Sequence, residues 1–575
     1  ARKSKKKTLQ NNRRPAKAAV SAYESGGAMK NTSLQKNSAV QLSIESLASD
    51  GAGVAHAGGM AVFVPFAAPG DVVDAKIVKV CKTHAFAIVQ NVITPGPGRI
   101  APECPVFGKC GGCALAHLTY EEELAQKQRF VADAMHRIGK LSCEVLPILP
   151  SPSAQGYRNK AQYPLCRDSE GHIRAGFYAP RSHRVVPCES CGLQPPVFSA
   201  VLHTACRLLE QMGASIYDEA SHKGLVRHIY LRHAVRTNKV MVCLVCTRAQ
   251  LAFEQAFCAA LTAAHPEICS IILNVNPAAT NVILGRQCRT LWGESTLADT
   301  LCGVPVQLSP LSFYQVNTLG AERLYGEVAR MAQLASGNTL LDLYCGAGTI
   351  GLSMAAACGQ LVGVEIVPEA VENARANAAR MGAQNVRFLC ADAASAAQQL
   401  LAEGLRPDVV VLDPPRKGCD EATLSAVATM APRRVVMVSC NAATAARDAA
   451  WLAAHGYAPQ AVRPVDMFPR TRHVETVVLL SKLNTKQHIE VELNLDELDL
   501  TSAESKATYD EIKAYVLEKH GLKVSSLYIS QVKRKCGLDV GQNYNLSKKE
   551  DAKVPQCPPE KEAAIMDALK HFQMI

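Results

Sequence analysis

The alternation of apolar and polar residues changes along the chain, and each change marks a different kind of secondary structure. From about residue 39 to residue 94, short runs rich in β-branched and aromatic residues are separated by Gly-rich turns. This pattern predicts a small barrel of about five strands. Between about 310 and 482, apolar runs of strand length alternate with Ala-rich helical segments. That alternation is typical of parallel βαβ units in an α/β domain.

Two other regions have mixed patterns. Residues 100–300 combine strand-like runs with helical stretches such as YEEELAQKQRFVADAMHRIG at 120–139, which indicates a central α+β domain. After Lys482 the composition becomes acidic and then basic and helical, which indicates a small appendage. The predicted segments are a basic tail at 1–34, a β-barrel at 35–95, a central domain at 96–305, an α/β domain at 306–483 and a mostly helical extension at 488–575.

Composition narrows the classes of function. A chain of 575 residues should form three or four domains. The basic start has no apolar core behind it and there is no run of 18 apolar residues, so we expect neither a signal peptide nor a membrane span. The 22 cysteines, without an export signal, indicate a reducing cytoplasm rather than a disulfide framework. The net charge of +11 favours a polyanionic partner. Eight Lys and Arg in the first 17 residues predict a disordered tail that either touches nucleic acid or is only solvated.

The first candidate site is a Gly-rich loop, GAGTIG at 346–351, between an apolar strand and a helix. This loop suits a nicotinamide dinucleotide as well as S-adenosylmethionine. Asp342 lies just before it, Glu365 ends the next strand and Asp392 ends the third, so carboxylates are available for a ribose and an adenine. We favour S-adenosylmethionine, because this cofactor needs close backbone approach and no cradle for a pyrophosphate.

Two further strands of the α/β domain end in reactive residues. The run at 408–412 is followed by Asp413 of an Asp-Pro-Pro-Arg turn, and the run at 435–439 is followed by Cys440. The next segment predicts a helix that stops at Gly456. Because a helix N-terminus stabilises a thiolate, we expect a lowered pKa for Cys440, which makes it a candidate nucleophile.

Four motifs resemble the RNA (uracil-5-)-methyltransferase family, in the same order along the chain: FYQVN at 313–317, LDPPRKGCD at 412–420, VSCN at 438–441 and HVETVVLL at 473–480. The resemblance extends over roughly residues 35–482. It implies transfer of a methyl group from S-adenosylmethionine to carbon 5 of a uridine, giving 5-methyluridine. One departure is Ala442, where the family usually has Pro after SCN. Replacement of the family's Pro by Ala442 removes a restraint on the turn but no reacting atom.

The resemblance also implies roles for individual residues. Cys440 adds to carbon 6 of uracil so that carbon 5 can attack the methyl group, and Glu475 then removes the carbon 5 proton. Desolvation of Glu475 in a strand should raise its pKa. Phe313 is expected to stack on the target base. The implied cofactor contacts are Gln315, Tyr344, Glu365 and Asp413, with a bond from Asp413 to the uracil edge as the alternative for that residue.

A set of cysteines precedes this domain. ECPVFGKCGGC at 103–113 contains three thiols with the spacing C-x5-C-x2-C, and either Cys188 or Cys191 must supply a fourth. Four thiols suit zinc as well as an iron–sulfur cluster. The resemblance implies a four-iron four-sulfur cluster with Cys191 as fourth ligand, because Leu193-Gln194 follow it, and leaves Cys188 as a packing residue. The implied ligands are Cys104, Cys110, Cys113 and Cys191.

Basic and aromatic residues are interleaved in three central segments, YRNKAQY at 157–163, RAGFYAPRSHR at 174–184 and GLVRHIYLRHAVR at 224–236. Such segments suit phosphate neutralisation and base stacking in RNA, although each could be only a solvated face. The barrel resembles the TRAM domain, an RNA-binding module. The extension resembles those of some bacterial family members, and could offer Lys533, Arg534 and Lys535 to RNA or only pack against the enzyme.

We interpret the chain as a cytoplasmic, monomeric 23S rRNA uracil-5-methyltransferase that binds neither DNA nor membranes. The predicted fold is multidomain: an OB-like TRAM barrel, a central α+β iron–sulfur and RNA-binding domain, a Rossmann-like methyltransferase domain and a helical extension. Three alternatives stay open. They are a tRNA enzyme with the same chemistry, whose usual form lacks the barrel and the cysteine set, a non-catalytic RNA-binding iron–sulfur protein, and a nicotinamide dehydrogenase.

Overall fold

The computed structural model describes residues 34–483, 509–536 and 556–572. The basic tail before Leu34 and the acidic segment around 490–500 lie outside these residues. The chain divides into two compact units, Ala1–Asn484 and Thr485–Ile575. No helix among the described residues combines the length and the apolar character that a membrane span requires.

The N-terminal region forms one sheet of six strands, one strand more than predicted: β1 (Ala39–Ser43), β2 (Ser46–Leu47), β3 (Gly53–Ala57), β4 (Met60–Val64), β5 (Val72–Val80) and β6 (His84–Thr94). Their order across the sheet is β1-β5-β6-β4-β3-β2. Alternate side chains such as Val62, Val73 and Ile77 are fully buried in one core. This is the period of two that one buried sheet face requires.

The elements between the first sheet and residue 293 are α1 (Tyr120–Asp133), continued by a π-helical turn at Ala134–Ile138, β7 (Glu144–Val145), β8 (Lys160–Arg167), β9 (Ile173–Tyr178), β10 (Val185–Pro187), α2 (Pro196–Gln211), β11 (Val226–Ala234), β12 (Lys239–Cys246), α3 (Glu254–Ala264), β13 (Ile268–Val275) and β14 (Gln287–Gly293). Seven of these strands form the central sheet, in the order β10-β9-β8-β11-β12-β13-β14. Helices α2 and α3 share an apolar core with one face of this sheet.

The α/β domain has an eight-stranded sheet with the order β19-β18-β17-β20-β21-β23-β22-β7. A hairpin and then alternating helices and strands lead into it: β15 (Leu297–Leu301), β16 (Val304–Leu308), α4 (Thr318–Ala332), β17 (Thr339–Leu343), α5 (Thr349–Met354), β18 (Gln360–Glu365), α6 (Pro368–Met381), β19 (Val386–Cys390), α7 (Ala393–Ala402), β20 (Val409–Leu412), α8 (Glu421–Met430), β21 (Arg434–Ser439), α9 (Ala442–Ala454), β22 (Tyr457–Val465) and β23 (Glu475–Lys482). Strands β17 to β21 are mutually parallel, as predicted. The strand order reverses at β17 and β20, where sheets of this kind bind their ligands.

Residues 120–149 were assigned by sequence to the central domain, but they pack on the α/β sheet. Strand β7 pairs with β22, with Glu144 opposite Ala461. Val131 and Met135 are buried in the core under the same sheet. The α/β domain is therefore completed by a segment that precedes the central sheet in the chain. A strand of two residues gives no periodic signal, so the sequence could not indicate this pairing.

The second unit contains three described helices, α10 (Tyr509–His520), α11 (Ser526–Lys535) and α12 (Pro559–His571). They share a small apolar core that includes Ile512, Ile529 and Ile565. The three basic residues that could be offered to RNA differ in exposure. Lys533 is 5% exposed, Lys535 is exposed but forms an ion pair with Glu562 at 2.7 Å, and Arg534 is exposed.

Candidate active site

Residues from several strand ends line one cavity of about 1340 Å³. They include Tyr344 after β17, Asp413 after β20, Cys440 after β21 and Glu475 at the start of β23. Because β23 runs antiparallel to β21, its first residue lies at the edge where the parallel strands end. The structure thus brings together residues that are far apart in sequence.

Cys440 and Glu475 are neighbours across two strands. Ser439 of β21 pairs with Thr476 of β23. Cys440 follows Ser439 and Glu475 precedes Thr476, so these two residues lie side by side at the ends of the antiparallel strands. Glu475 is 7% exposed, and burial together with the charge of Asp413 raises its pKa to about 8. This agrees with the raised pKa expected from the sequence, and it gives the carboxylate the basicity that proton abstraction near neutral pH needs.

The expectation of a lowered pKa for Cys440 was wrong. Helix α9 does begin just after it, with Asn441 Oδ1 accepting from the Ala443 N–H at 3.1 Å. Burial, and next the negative charge of Glu475, nevertheless raise the pKa of the thiol, while the charge and hydrogen bond of Arg416 lower it only in part. Desolvation beside a carboxylate outweighs the helix N-terminus.

Ala442 occupies the first helical position of α9, where the family usually has Pro. Pro at this position mainly presets the helical φ angle. Here the Asn441 cap fixes the turn, and the Ser439 hydroxyl donates to the Asn441 carbonyl at 3.1 Å. The loop after Cys440 therefore keeps its shape without the proline.

The cofactor candidates surround the Gly-rich loop. The Glu365 carboxylate accepts from the Gly346 N–H at 3.0 Å and from the Val367 N–H at 2.9 Å, which holds it at the tip of β18. Asp342 Oδ2 accepts from the Gly351 N–H at 2.9 Å. Its Oδ1 is buried and has no partner among the described residues, and burial raises the pKa of this carboxyl to about 7.

The other predicted ligand-binding residues also line the cavity. Gln315 lies on its wall, and Phe313 is 76% exposed there, as a base-stacking residue requires. Tyr344 has a φ angle of 65°, which strains a residue other than Gly and is common at functional sites. Asp392 Oδ1 accepts from the Ala394 and Ser395 N–H groups at 3.1 Å, so this oxygen caps α7.

Two further cavity residues were not singled out from the sequence. Arg416 belongs to the Asp-Pro-Pro-Arg turn, and its positive charge acts on both Cys440 and Glu475. His473 lies two residues before Glu475, and burial followed by the charge of Arg472 lowers its pKa. Arg416 lies in the motif LDPPRKGCD and His473 in the motif HVETVVLL, so membership of these motifs could have identified both residues from the sequence.

The loop before Glu475 is tied to α1 and to the cysteine segment. Lys127 is fully buried, and its Nζ donates to Glu123 Oε1 at 2.8 Å, Asp466 Oδ1 at 2.7 Å and the Phe468 carbonyl at 3.0 Å. The Arg470 N–H donates to Glu123 Oε1 at 2.7 Å. The Ala114 and Leu115 N–H groups donate to the Arg470 carbonyl at 3.0 Å, so the segment after Cys113 is bonded directly to this loop.

The five candidate cluster thiols all line the same cavity: Cys104, Cys110, Cys113, Cys188 and Cys191. Burial, and then the charges of Cys191, Cys110 and Cys104, raise the pKa of Cys113 to about 12. The set therefore offers soft, desolvated and mutually repelling donors. Within the described residues, no three His, Cys, Asp or Glu side chains are spaced to hold a metal ion.

The central segments predicted to contact RNA differ in exposure. In the segment 224–236, Arg227 is 3% exposed and Arg232 is 1% exposed, so neither is the surface phosphate contact that its sequence suggested. Arg158 and Lys160, from the segment 157–163, line the cavity instead.

Comparison with known proteins defines the family. Residues 119–483 match tRNA (uracil-5-)-methyltransferase, and residues 40–97 match the TRAM domain of tRNA (uracil(54)-C(5))-methyltransferase. The chain belongs to the tRNA (uracil-5-)-methyltransferase family. It is accordingly an S-adenosylmethionine-dependent RNA methyltransferase with an N-terminal TRAM domain. The prediction of this enzyme class is confirmed, and a nicotinamide dehydrogenase is excluded.

Two family relatives and one solved structure are similar over most of the chain. An uncharacterized RNA methyltransferase of Halalkalibacterium halodurans is 42% identical over 452 residues, 78% of this chain and 98% of the relative. One of Clostridium tetani is 38% identical over 458 residues, 80% of this chain and 99% of the relative. The Pyrococcus abyssi tRNA (uracil-54, C5)-methyltransferase in complex with S-adenosyl-L-homocysteine is 25% identical, with a TM-score of 0.62, and covers 77% of this chain and 100% of its own.

The TRAM match also corrects one expected distinction. The barrel was expected to separate a ribosomal from a transfer RNA enzyme, but the matching domain is named for a transfer RNA enzyme. The barrel therefore does not distinguish the two substrates.

Proposed function

We propose that this methyltransferase forms 5-methyluridine in 23S rRNA through a covalent adduct between Cys440 and carbon 6 of the target uracil. The observation that supports this most directly is the placement of Cys440 beside Glu475 in the cavity that the cofactor candidates line. A nucleophile and a base at one sheet edge, next to a methyl donor, meet the needs of this chemistry.

In the proposed reaction, the Cys440 thiolate adds to carbon 6, and the electron pair of the 5,6 double bond makes carbon 5 nucleophilic. Carbon 5 attacks the methyl group, and the sulfonium leaves as S-adenosylhomocysteine. Glu475 then takes the proton from carbon 5, the double bond re-forms and the thiolate leaves carbon 6. Arg416 assists the first step, since its positive charge favours the thiolate.

For cofactor binding we propose Gln315, Tyr344, Glu365 and Asp413. Glu365 suits the ribose hydroxyls, because its position at the tip of β18 is fixed by two backbone bonds. The charge of Asp413 acts on both Glu475 and Cys440, so it lies near the reacting atoms. This supports its alternative role, a hydrogen bond to the uracil edge.

A four-iron four-sulfur cluster on Cys104, Cys110, Cys113 and Cys191 forms part of the proposal. The donors fit in chemistry: the thiols that raise the pKa of Cys113 are the other three of this set. The cluster would cross-link the segment 104–113 to the segment that contains Cys191.

The proposal also includes 23S rRNA as the substrate and a monomeric state of the enzyme. The cysteine set supports 23S rRNA, since the tRNA enzymes were expected to lack it. The similarity to a transfer RNA enzyme over 77% of the chain supports tRNA as the second candidate. Substrate choice therefore needs a direct comparison of the two RNAs.

Release of tritium from carbon 5 of uridine tests the reaction. Purified full-length protein is incubated with S-adenosylmethionine and 5-tritiated transcripts of 23S rRNA or of tRNA. We expect release from 23S rRNA and none after Cys440→Ala. Glu475→Gln should trap the RNA–protein adduct on a denaturing gel, whereas Glu121→Gln, an exposed control on α1, should not. Release from tRNA alone would support the second candidate, and full activity of Cys440→Ala would contradict the mechanism.

Iron and sulfide content tests the cluster. Protein purified without oxygen should contain about four of each per chain. Cys191→Ser should lower this content. Cys188→Ser should leave it unchanged, because the Cys188 Sγ donates within its own loop to the Ser190 carbonyl at 3.1 Å. Retention of all the iron by Cys191→Ser would assign the fourth ligand elsewhere.

A further inference from the structure

Two positive side chains oppose each other directly in the central sheet. Strands β8 and β11 are antiparallel, and Lys160 is the cross-strand partner of Arg232. Residues opposite each other in a sheet project from the same face, and like charges in such a pair are destabilising. Arg158 lies two residues before Lys160, and the charges of both arginines act on Lys160.

These cations have no neighbouring carboxylate in the part of the chain that the structure describes. Arg232 is 1% exposed, its Nη2 donates to the Ser312 carbonyl at 2.8 Å, and its Cζ lies 5.7 Å from the centroid of the Tyr230 ring. Its Nε and Nη1 have no hydrogen-bond partner among the described residues. Across the described ranges, no carboxylate oxygen lies within 4.0 Å of a side-chain nitrogen of Arg158, Lys160 or Arg232. A buried cation without a counter-ion is costly, so the arrangement is unfavourable until an anion arrives.

The uncompensated charge lies at the wall of the catalytic cavity. Arg158, Lys160 and Phe313 all line it. Between the two cations, the Asn159 N–H donates to the Val316 carbonyl at 2.8 Å, and Asn159 Nδ2 donates to the Gln315 carbonyl at 2.8 Å. The cations are therefore fixed to the segment that presents Phe313.

We propose that Lys160, with Arg158 beside it and Arg232 behind it, is a phosphate-binding subsite that holds the RNA backbone next to the base stacked on Phe313. This inference rests on the proposed function in that the ligand is RNA. Burial and the charge of Arg232 lower the pKa of Lys160 to about 8, and a bound phosphate would reverse this effect. Lys160 projects from the central sheet, not from the tips of β17 and β18 where the cofactor carboxylates lie, which favours RNA phosphate over an anionic group of the cofactor.

The salt dependence of RNA binding tests the subsite without requiring catalysis. Binding of a fluorescein-labelled 20-nucleotide oligouridylate to the full chain is measured by anisotropy at several KCl concentrations. Each phosphate contact to single-stranded RNA contributes about 0.7 to the slope of log K against log salt. We expect Lys160→Met to reduce the slope by about 0.7. Lys160→Arg should keep it, and so should Lys239→Met, an exposed control on β12 of the same sheet.

Circular dichroism checks the folding of each variant, and S-adenosylhomocysteine affinity is measured separately as a test of the cofactor site. It should be unchanged in Lys160→Met, and if that variant does not fold, Lys160→Gln replaces it. An unchanged slope overturns the proposal, and so does a fall in S-adenosylhomocysteine affinity in a folded variant, since the anion would then belong to the cofactor. Failure of the proposed function appears separately, as absent tritium release by the unmodified protein while the slope still depends on Lys160.

Discussion

At the scale of single residues, the proposed nucleophile and the proposed base are both held mainly in their uncharged forms near neutral pH. Burial raises the pKa of Cys440 above its ordinary value of 9.0 and that of Glu475 to about 8. Arg416 opposes both shifts but does not cancel them. A protonated thiol is a poor nucleophile and resists oxidation. In the ligand-free enzyme the Cys440 thiol is therefore unreactive, until the bound substrate changes its surroundings.

These shifts predict how activity depends on pH. A base with a raised pKa is protonated, and inactive, below that pKa, and it becomes competent as the pH rises through about 8. The thiol titrates in the same direction. We therefore expect kcat/KM to rise at least about tenfold per pH unit below pH 8, and up to about a hundredfold if both groups must lose a proton in the free enzyme, measured as tritium release between pH 6.0 and 9.5. A profile that is flat or falls over this interval would contradict the assignment of Glu475 as the base.

At the scale of elements, the position of Glu475 depends on segments outside the α/β motifs. The buried network of Lys127, Glu123 and Asp466 joins α1 to the loop that precedes β23. The same network holds Arg470, to which the cysteine segment is bonded. Helix α1 thus acts as the support on which the catalytic loop and the cysteine segment are assembled.

Removal of the central charge of this network should be strongly destabilising. Lys127→Met leaves the buried Asp466 carboxylate without its cation and leaves Glu123 only the longer ion pair with Arg470 at 3.6 Å. We expect a loss of about 3–5 kcal/mol in the free energy of unfolding. Urea denaturation followed by circular dichroism measures it. Lys79→Met, on the exposed side of β5, is the matched control and should change stability by less than about 0.5 kcal/mol. Equal stability of the two variants would show that the network contributes little.

A second element-scale prediction concerns the Gly-rich loop. A Cβ at Gly351 would lie 2.8 Å from both Asp342 Oδ2 and Leu361 Cδ1, so Gly351→Ala must displace the loop or the strand beneath it. We expect affinity for S-adenosylhomocysteine to fall about tenfold by calorimetry, in line with an overpacking cost of about 1–3 kcal/mol. Gly326→Ala on α4 is the control, because nothing lies within 4 Å of its added Cβ. Equal affinities would mean that the loop absorbs the methyl group without cost.

At the scale of the whole molecule, the relatives are matched almost completely by about four fifths of this chain, which leaves a remainder the size of the second unit and the N-terminal tail outside the match. The relatives from Halalkalibacterium halodurans and Clostridium tetani are matched over 98% and 99% of their lengths by 78% and 80% of this chain. The described helices after residue 508 bury their apolar residues in a core of their own. Neither observation gives the extension a part in methyl transfer.

Deletion of residues 484–575 should therefore leave methyl transfer intact. We expect the shortened chain to release tritium from RNA at a rate within about twofold of the full chain, because the match to the methyltransferase family ends at residue 483. Circular dichroism of both proteins separates a folding defect from a catalytic one. A folded but inactive product would assign the extension a role in substrate binding.

The sequence predicted the local parts of this site and missed those that depend on distant contacts. The sequence placed Cys440, Asp413 and Glu365 at the ends of their strands, where the structure has them, because strand ends can be predicted from apolar runs of a few residues. The pKa of Cys440 was predicted with the wrong sign, since its burial and the neighbouring Glu475 arise only in the folded sheet. The burial of Arg232 was missed for the same reason, because a charged residue in a strand is expected at the surface.

The pairing of β7 with β22 has a consequence for how the protein is made. Glu144 leaves the ribosome about 300 residues before its partner Ala461. At a synthesis rate of roughly 5–20 residues per second, this segment waits on the order of 15–60 s for the sheet that covers it. During that interval Val131 and Met135 lack the sheet residues that cover them, and Lys127 lacks its partner Asp466, so the nascent chain exposes a site that chaperones can recognise.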